Sequence, residues 1–260
     1  MLRRLPALLV ISSLLLTACG NPFHRDSASD RLTPPRLGAC RDLDASDLDH
    51  PDNATGTVAC SHPHTAQTFA IGSLPASTGT GYADRRHGSH VYADCQRAFR
   101  EFIGADESVA LRSQVSWAWF RPSERGWARG ARWYRCDLVG GPAGASRLRN
   151  LPANARGLFS TSYPDAWMTC ARGVTVATST KVPCTEKHTW RAVTTIKLGE
   201  PDDPYPGDRI VEVRSRDYCQ DSVGGWSHYP PDFDFGYTWF REDRWAAGNR
   251  RSICWARTTR

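Results

Sequence analysis

Apolar and polar positions change period several times along this chain, and the changes come in the same order twice. TVAC and TAQTFAIGSL, residues 57–60 and 65–74, have strand character, with Thr68, Ala70 and Gly72 alternating against Phe69 and Ile71. In HVYADCQRAFREFIG the period becomes helical: Tyr92, Cys95, Phe99, Phe102 and Ile103 share one stripe, and Gly104 is a stop. SVALRSQVSWAWF and ARWYRCDLV return to strands. The second half repeats this order with TWRAVTTIKLG, a helix around RIVEVRSRDYCQ, then YTWF and RRSICWA. The class predicted is α+β: two tandem disulfide-stapled modules, each a small, mostly antiparallel sheet with one covering helix.

Fixed offsets support a duplication. Cys60 to Cys95 spans 35 residues, and so does Cys184 to Cys219. Trp127, Gly130 and Arg132 lie nine, six and four residues before Cys136, and Trp245, Gly248 and Arg250 lie at the same distances before Cys254. A Trp-Phe pair precedes each, Trp119-Phe120 and Trp239-Phe240. The modules are placed at 37–140 and 163–260. The Gly-, Pro- and Ala-rich stretch 141–162 between them reads as a linker, and 19–36 as a flexible tether. A core of about 100 residues is modest, so disulfides add useful support.

The first residues change the picture of where the chain works. Arg3 and Arg4 precede an apolar run that ends at Ala18 and is too short for a comfortable membrane span, so 1–18 reads as an export signal. LTAC, ending at Cys19, resembles a bacterial lipoprotein signal, in which the cysteine thiol is diacylated, the peptide is cut before it and the new amino group is usually acylated. The expected address is the extracytoplasmic face of the plasma membrane, with the bilayer itself a partner through acylated Cys19. The formal net charge is +6, and falls to +4 once Arg3 and Arg4 leave with the signal. That balance and that address argue against nucleic acid. Arginine outnumbers lysine heavily, only Lys181, Lys187 and Lys197 being lysine, as a GC-rich genome would give.

Besides Cys19 the chain has eight cysteines, an even count that in an exported protein favours four disulfides. Two sets of four reduce the possible pairings from about 105 to about nine. The first two cysteines of each copy sit beside adjacent early strands, which predicts Cys40–Cys60 and Cys170–Cys184. Cys95 and Cys219 fall on the helix stripe, which predicts bonds to Cys136 and Cys254 on the last strands.

A Cys-x-x-Pro-His segment, a cysteine-bearing helix and a terminal Trp-x-x-Gly-x-Arg…Cys resemble the septum-formation domain of actinobacterial membrane proteins and lipoproteins. The matching residues are Cys60, Pro63, His64, Cys95, Trp127, Gly130, Arg132 and Cys136, then Cys184, His188, Cys219, Trp245, Gly248, Arg250 and Cys254. The resemblance implies a cell-envelope protein linked to division and supplies no defined biochemical activity. Two departures stand out. The Glu expected three residues after the His is Gln67 in one copy and Arg191 in the other, and Lys187 replaces the Pro in the second.

His64 and His188 are the polar candidates that recur at one position. A metal needs three or four converging ligands, and disulfide-bonded Cys60 and Cys184 supply none; His62 has Glu186 as its counterpart. The expectation is that each imidazole bonds backbone near a turn, with contact to a ligand or partner as the alternative. Trp127 with Arg132, and Trp245 with Arg250, read as cation–π anchors or as a surface for sugars or anionic polymers. The acidic run at 40–53 lacks calcium-loop spacing and reads as a solvated loop, and Asn53 heads a glycosylation acceptor triplet of little weight in a bacterial lipoprotein. Hydrolase elbows, zincin helices and phosphate loops are missing from the sequence. The reading is a non-enzymatic, lipid-anchored envelope protein with no cofactor or metal, whose modules bind an envelope protein or polymer. The alternatives are a cell-wall enzyme or accessory factor using His64 or His188, and an extracytoplasmic metal or redox sensor.

Overall fold

The first copy builds its sheet from β1 (Cys40–Arg41), β2 (Ala66–Ser73), β3 (Val115–Phe120) and β4 (Trp133–Gly140), in the spatial order β1-β2-β4-β3. The second uses β5 (Thr169–Arg172), β6 (Thr180–Pro183), β7 (Trp190–Lys197), β8 (Phe235–Thr238) and β9 (Arg251–Arg257), in the order β6-β5-β7-β9-β8. Every pairing is antiparallel. The class is α+β, as the sequence predicts. This computed structural model describes residues 27–246 and 248–258; the signal segment, Cys19 and the first part of the tether lie outside the described residues. Among the described residues no helix is long and apolar enough to cross a membrane.

Each sheet is covered on one face by a long helix, α1 (Arg86–Ile103) in the first copy and α4 (Asp208–Trp226) in the second. On α1 the buried residues Val91, Cys95, Phe99, Phe102 and Ile103 recur at helical spacing and meet Phe69, Tyr134, Cys136 and Leu138 of the sheet. Gly104 ends the helix in the left-handed conformation, with φ of 69°, and its N–H returns to the Arg100 carbonyl. On α4 the inward residues are Val211, Ser215, Cys219 and Val223. Three short helices complete the set: α2 (Glu107–Leu111), α3 (Glu124–Ala128) and α5 (Glu242–Ala246).

The duplication reaches into irregularities. Both central strands carry a β-bulge at the same place, Thr68/Ala70 in β2 and Ala192/Thr194 in β7. The bulge breaks the alternation expected for TAQTFAIGSL, because Ala70 pairs with Cys136 and Gly72 with Tyr134 on the helix side, while Thr68 pairs with Asp137 on the other. Gly72 is required there, since a Cβ would fall 2.2 Å from the Tyr134 ring. The Trp-Phe pairs, however, are not equivalent. Trp119 lies opposite Cys136, whereas Tyr237 lies opposite Cys254, so Trp239-Phe240 falls beyond the matching register.

The stretch 141–162 has no helix or strand, as its composition predicts, yet it is packed against the first copy. Leu151, Ala155 and Phe159 are buried, and the N–H groups of Leu151, Gly157 and Phe159 donate to the carbonyls of His64, Phe102 and Ile103. Leu151, Ala155 and Phe159 stand four apart, but Pro152 and Gly157 among them leave no helix for that spacing to mark. Beyond it an isolated bridge, Ser113 to Met168, stitches the copies together, with Gln114 N to Trp167 O at 2.7 Å and Thr169 N to Arg112 O at 2.8 Å. Arg251 Nε reaches Glu107 Oε2 at 2.7 Å across the same seam, and Tyr92 packs on Gly248, where a Cβ would come within 2.6 Å of its ring.

Candidate functional site

The four disulfides join Cys40 to Cys60, Cys95 to Cys136, Cys170 to Cys184 and Cys219 to Cys254, the pairs that the order of elements predicts. Seven of these cysteines are fully buried, Cys60 alone being partly open, so both staples to the helices lie out of reach of solution reductants. Each first staple fixes a turn that carries a histidine. His64 Nδ1 is 2.8 Å from the carbonyl oxygen of His62, and His188 Nδ1 is 2.7 Å from that of Glu186. A carbonyl only accepts, so Nδ1–H is the donor in both copies. His64 and His188 are 1% and 6% exposed, which places them inside the turns. The Nε2 of His64 is buried without a protein partner.

Gln67 and Arg191, which stand where the resemblance leads one to expect Glu, both hold the connecting chain. Gln67 Oε1 accepts from Ala155 N at 3.4 Å, and Arg191 pairs with Asp165 Oδ1 at 2.6 Å. Those two positions therefore serve packing between segments in this chain.

The Trp/Arg pairs are built alike. Arg132 lies over the Trp127 ring at 3.8 Å and donates to the carbonyls of Trp127 and Ala131. Arg250 lies over Trp245 at 4.0 Å and donates to the carbonyls of Trp245, Asn249, Glu200 and Pro201. Both indole N–H groups are also bonded, Trp127 to Thr80 O and Trp245 to Asp203 O. Arg132 precedes β4 and curls back on α3, so it does not share a strand face with Tyr134. Tyr134 instead faces α1, where burial and then its bond to Asp94 push its hydroxyl up to about 12.

The charge that sequence reasoning missed lies on the face of the first sheet turned away from α1. Arg135 Nε donates to Asp137 Oδ2 at 2.9 Å, Thr68 donates to Asp137 Oδ1 at 2.6 Å, and Arg41 donates to Thr68 at 2.8 Å while approaching Asp137 at 3.7 Å. Asn53 closes the cluster by accepting from Arg135 at 3.1 Å, which uses and buries the side chain of the glycosylation triplet. Arg41, Arg135 and Asp137 are 3%, 2% and 0% exposed. Burial lowers the Arg41 pKa, and the Asp137 carboxylate opposes it. A signal existed: Arg135 and Asp137 are two apart in a strand whose other positions are apolar, so they share one face. Register through the disulfides places Ala171, Ala192, Ile253 and Trp255 of the second copy where the first has Arg41, Thr68, Arg135 and Asp137. There the face is apolar, capped by Lys181, whose Nζ lies 4.5 Å from the Trp255 ring and donates to Val176 O. Burial pushes Lys181 down to about 8.

The tether is also more ordered than its composition suggests. Ser27–Asp30 form a capped turn against α3, where Asp30 bonds the Ser123 hydroxyl and lies 3.7 Å from Arg125. The Ser123 bond is the first cause holding the Asp30 carboxyl below its usual range. An open depression of about 580 Å³ adjoins it, lined by Asp30, Asp52, Tyr82, Glu124 and Arg125. In the acidic run, Asp44 and Asp47 accept bonds from neighbouring residues of the loop. Among the described residues no three His, Cys, Asp or Glu side chains converge to hold a metal.

Comparison with known proteins adds one match. The model of the family described as Septum formation fits residues 111–254, slightly over half of the chain. The fit starts just before the Ser113–Met168 stitch, runs through the connecting segment and ends at Cys254. No curated protein and no solved structure matches.

Proposed function

The chain belongs to the septum-formation family, and from that premise we propose that it is a non-enzymatic, lipid-anchored protein of the outer face of the plasma membrane that binds an envelope protein or polymer during division. The observation that carries this reading is that the polar groups recurring in both copies are used to hold the fold. His64 and His188 are bonded to turn carbonyls and buried, and Arg132 and Arg250 are bonded to three or more groups each when their indole rings are included. A cell-wall enzyme acting through these imidazoles would need them at the surface, and a redox sensor would need at least one reducible cysteine pair, whereas seven of the eight bonded cysteines are fully buried. What remains to vary outwardly is the surface of two joined modules, as suits a binding protein.

The test is septum spacing and cell length, by membrane-stain microscopy, in a strain lacking this chain. Misplaced or missing septa that the wild-type chain restores are the expected result. Normal septa and normal lengths in the deletion strain would remove the division role.

A further inference from the structure

The Ser27–Asp30 turn is already docked beside α3, where Ser123 N donates to Ser29 O, so only seven residues, eight Cα–Cα steps, lie between it and Cys19. A chain reaches at most about 3.6 Å per residue, which limits that span to roughly 29 Å, and a flexible one averages nearer 16 Å. A lipid on Cys19 therefore keeps the Ser27 side of the first module at the bilayer. That side has a distinct surface. Between the Ser27 turn and β1 the chain runs RLTPPRL, residues 31–37, with Leu32 and Leu37 53% and 55% exposed and Arg31 and Arg36 exposed beside them. Trp133 Nε1 donates to Arg31 O at 2.8 Å, and Gly38 N donates to Thr68 O, so both ends of the loop are tied to the sheet. Arg125 and Arg129 of the neighbouring α3 region are exposed as well. Glu124 is the exposed acid among them, since Asp30 is buried.

We propose that this loop is a second membrane contact: Leu32 and Leu37 enter the headgroup layer while Arg31, Arg36, Arg125 and Arg129 meet anionic phospholipid. The proposal rests on the lipid-anchored reading above. An arginine beside each leucine suits an interface, where the apolar group sinks and the guanidinium stays with phosphate. The two prolines between the pairs restrict the loop, so holding it at an interface costs little further backbone entropy.

Trypsin cuts after Arg31 and Arg36, each followed by leucine, which gives a direct reading. The full acylated chain is placed in vesicles of phosphatidylglycerol or of phosphatidylcholine, and peptide masses are followed over time, with exposed Lys187 of the second module as internal reference. Cleavage after Arg31 and Arg36 is expected to be about tenfold slower on phosphatidylglycerol, relative to Lys187, and to recover in Leu32→Asp with Leu37→Asp. Equal rates on both lipids overturn the contact. So does shielding found only in native membranes, which would assign the loop to a protein. The mass of the N-terminal peptide reports the acyl group separately. Acylation without shielding leaves the anchor and removes the contact, whereas shielding on an unmodified Cys19 leaves the contact and removes the anchor.

Discussion

Copy one buries two guanidinium groups and a carboxylate on the sheet face turned away from its helix, while copy two buries Trp255, Ala171 and Ala192, with Ile253 partly buried, at the same register. The side chains of the two sets have nearly the same total volume, yet their physics is opposed. In copy two, burial of apolar area is favourable by itself, at about 25 cal/mol per Å². In copy one each ion loses several kcal/mol of hydration, which attraction and hydrogen bonds must repay. Helix staples, turn histidines, bulges and Trp/Arg anchors are common to both copies. A duplicated scaffold has kept its covalent and backbone devices and exchanged the material of one face. The charged version is also more specific about its cover, because Asn53 must be in place to satisfy Arg135, and this ties residues 40–55 to the sheet.

The hardest blow to that comparison is Asp137→Ala. It leaves Arg41 and Arg135 buried without their anion, and a loss of about 3–5 kcal/mol is expected in urea unfolding followed by tryptophan fluorescence. Trp255→Ala in copy two removes packing instead and is expected to cost a similar 3–5 kcal/mol, but without the salt dependence that a charge cluster with a surplus cation introduces. A loss under 1 kcal/mol for Asp137→Ala would mean that water reaches the cluster and that it is not a buried ion network.

Converting copy one into copy two sharpens the point. The fourfold change of Arg41→Ala, Thr68→Ala, Arg135→Ile and Asp137→Trp replaces ions by apolar groups of equal volume, and is expected to match the parent or exceed it by up to about 4 kcal/mol. Its urea midpoint decides the matter. A variant weaker than Asp137→Ala would show that copy one cannot close over an apolar face, so that the charge cluster is built into its packing.

The anchors differ more gently. Arg250 is 9% exposed and holds four carbonyls besides its indole, whereas Arg132 holds two. Arg250→Ala is expected to cost about 2–3 kcal/mol and Arg132→Ala about 1 kcal/mol, by thermal and urea unfolding. Equal losses would assign the stabilisation to the cation–π contact alone, since only that is shared equally.

Much of this was legible in the sequence, and the failures have physical causes. Equal cysteine spacings gave the staples, because the helix stripe and the last strand had to meet. The helical period of 90–104 and the stop at Gly104 were read from residues that the structure buries in order. The bulge was invisible, since a single extra residue leaves no composition signal and only register reveals it. Trp239-Phe240 looked like the partner of Trp119-Phe120 because spelling was matched where register decides. The connecting segment looked free because Pro152, Asn154 and Gly157 sit among its evenly spaced Leu151, Ala155 and Phe159 and read as loop, and the Arg–Asp cluster was missed because its members come from three distant stretches. Of the candidate residues, the histidines lie in turns bonded to carbonyls and the Trp/Arg pairs stack in each copy.

The smallest effect comes from the two helix ends. Gly104 closes α1 at φ of 69°, and 124 residues later His228 stands past the end of α4 at φ of 65°, followed by Tyr229 at 51°. An L-residue in this region loses roughly 1–2 kcal/mol to the clash of Cβ with its carbonyl, and glycine does not. Tyr229 makes up part of the deficit in copy two: its ring packs on Gly224 and its hydroxyl bonds Asp221. His228 has no such contact to lose and is exposed. His228→Gly is therefore expected to stabilise the chain by about 1 kcal/mol, less the extra entropy that glycine brings to the unfolded state. Gly104→Ala, by contrast, adds strain and meets Ser160, whose Oγ would lie 2.1 Å from the new Cβ, so it should destabilise by more than His228→Gly stabilises. If both changes destabilise, the His228 imidazole holds the turn by a contact of its own, and the two helix ends are closed by different means.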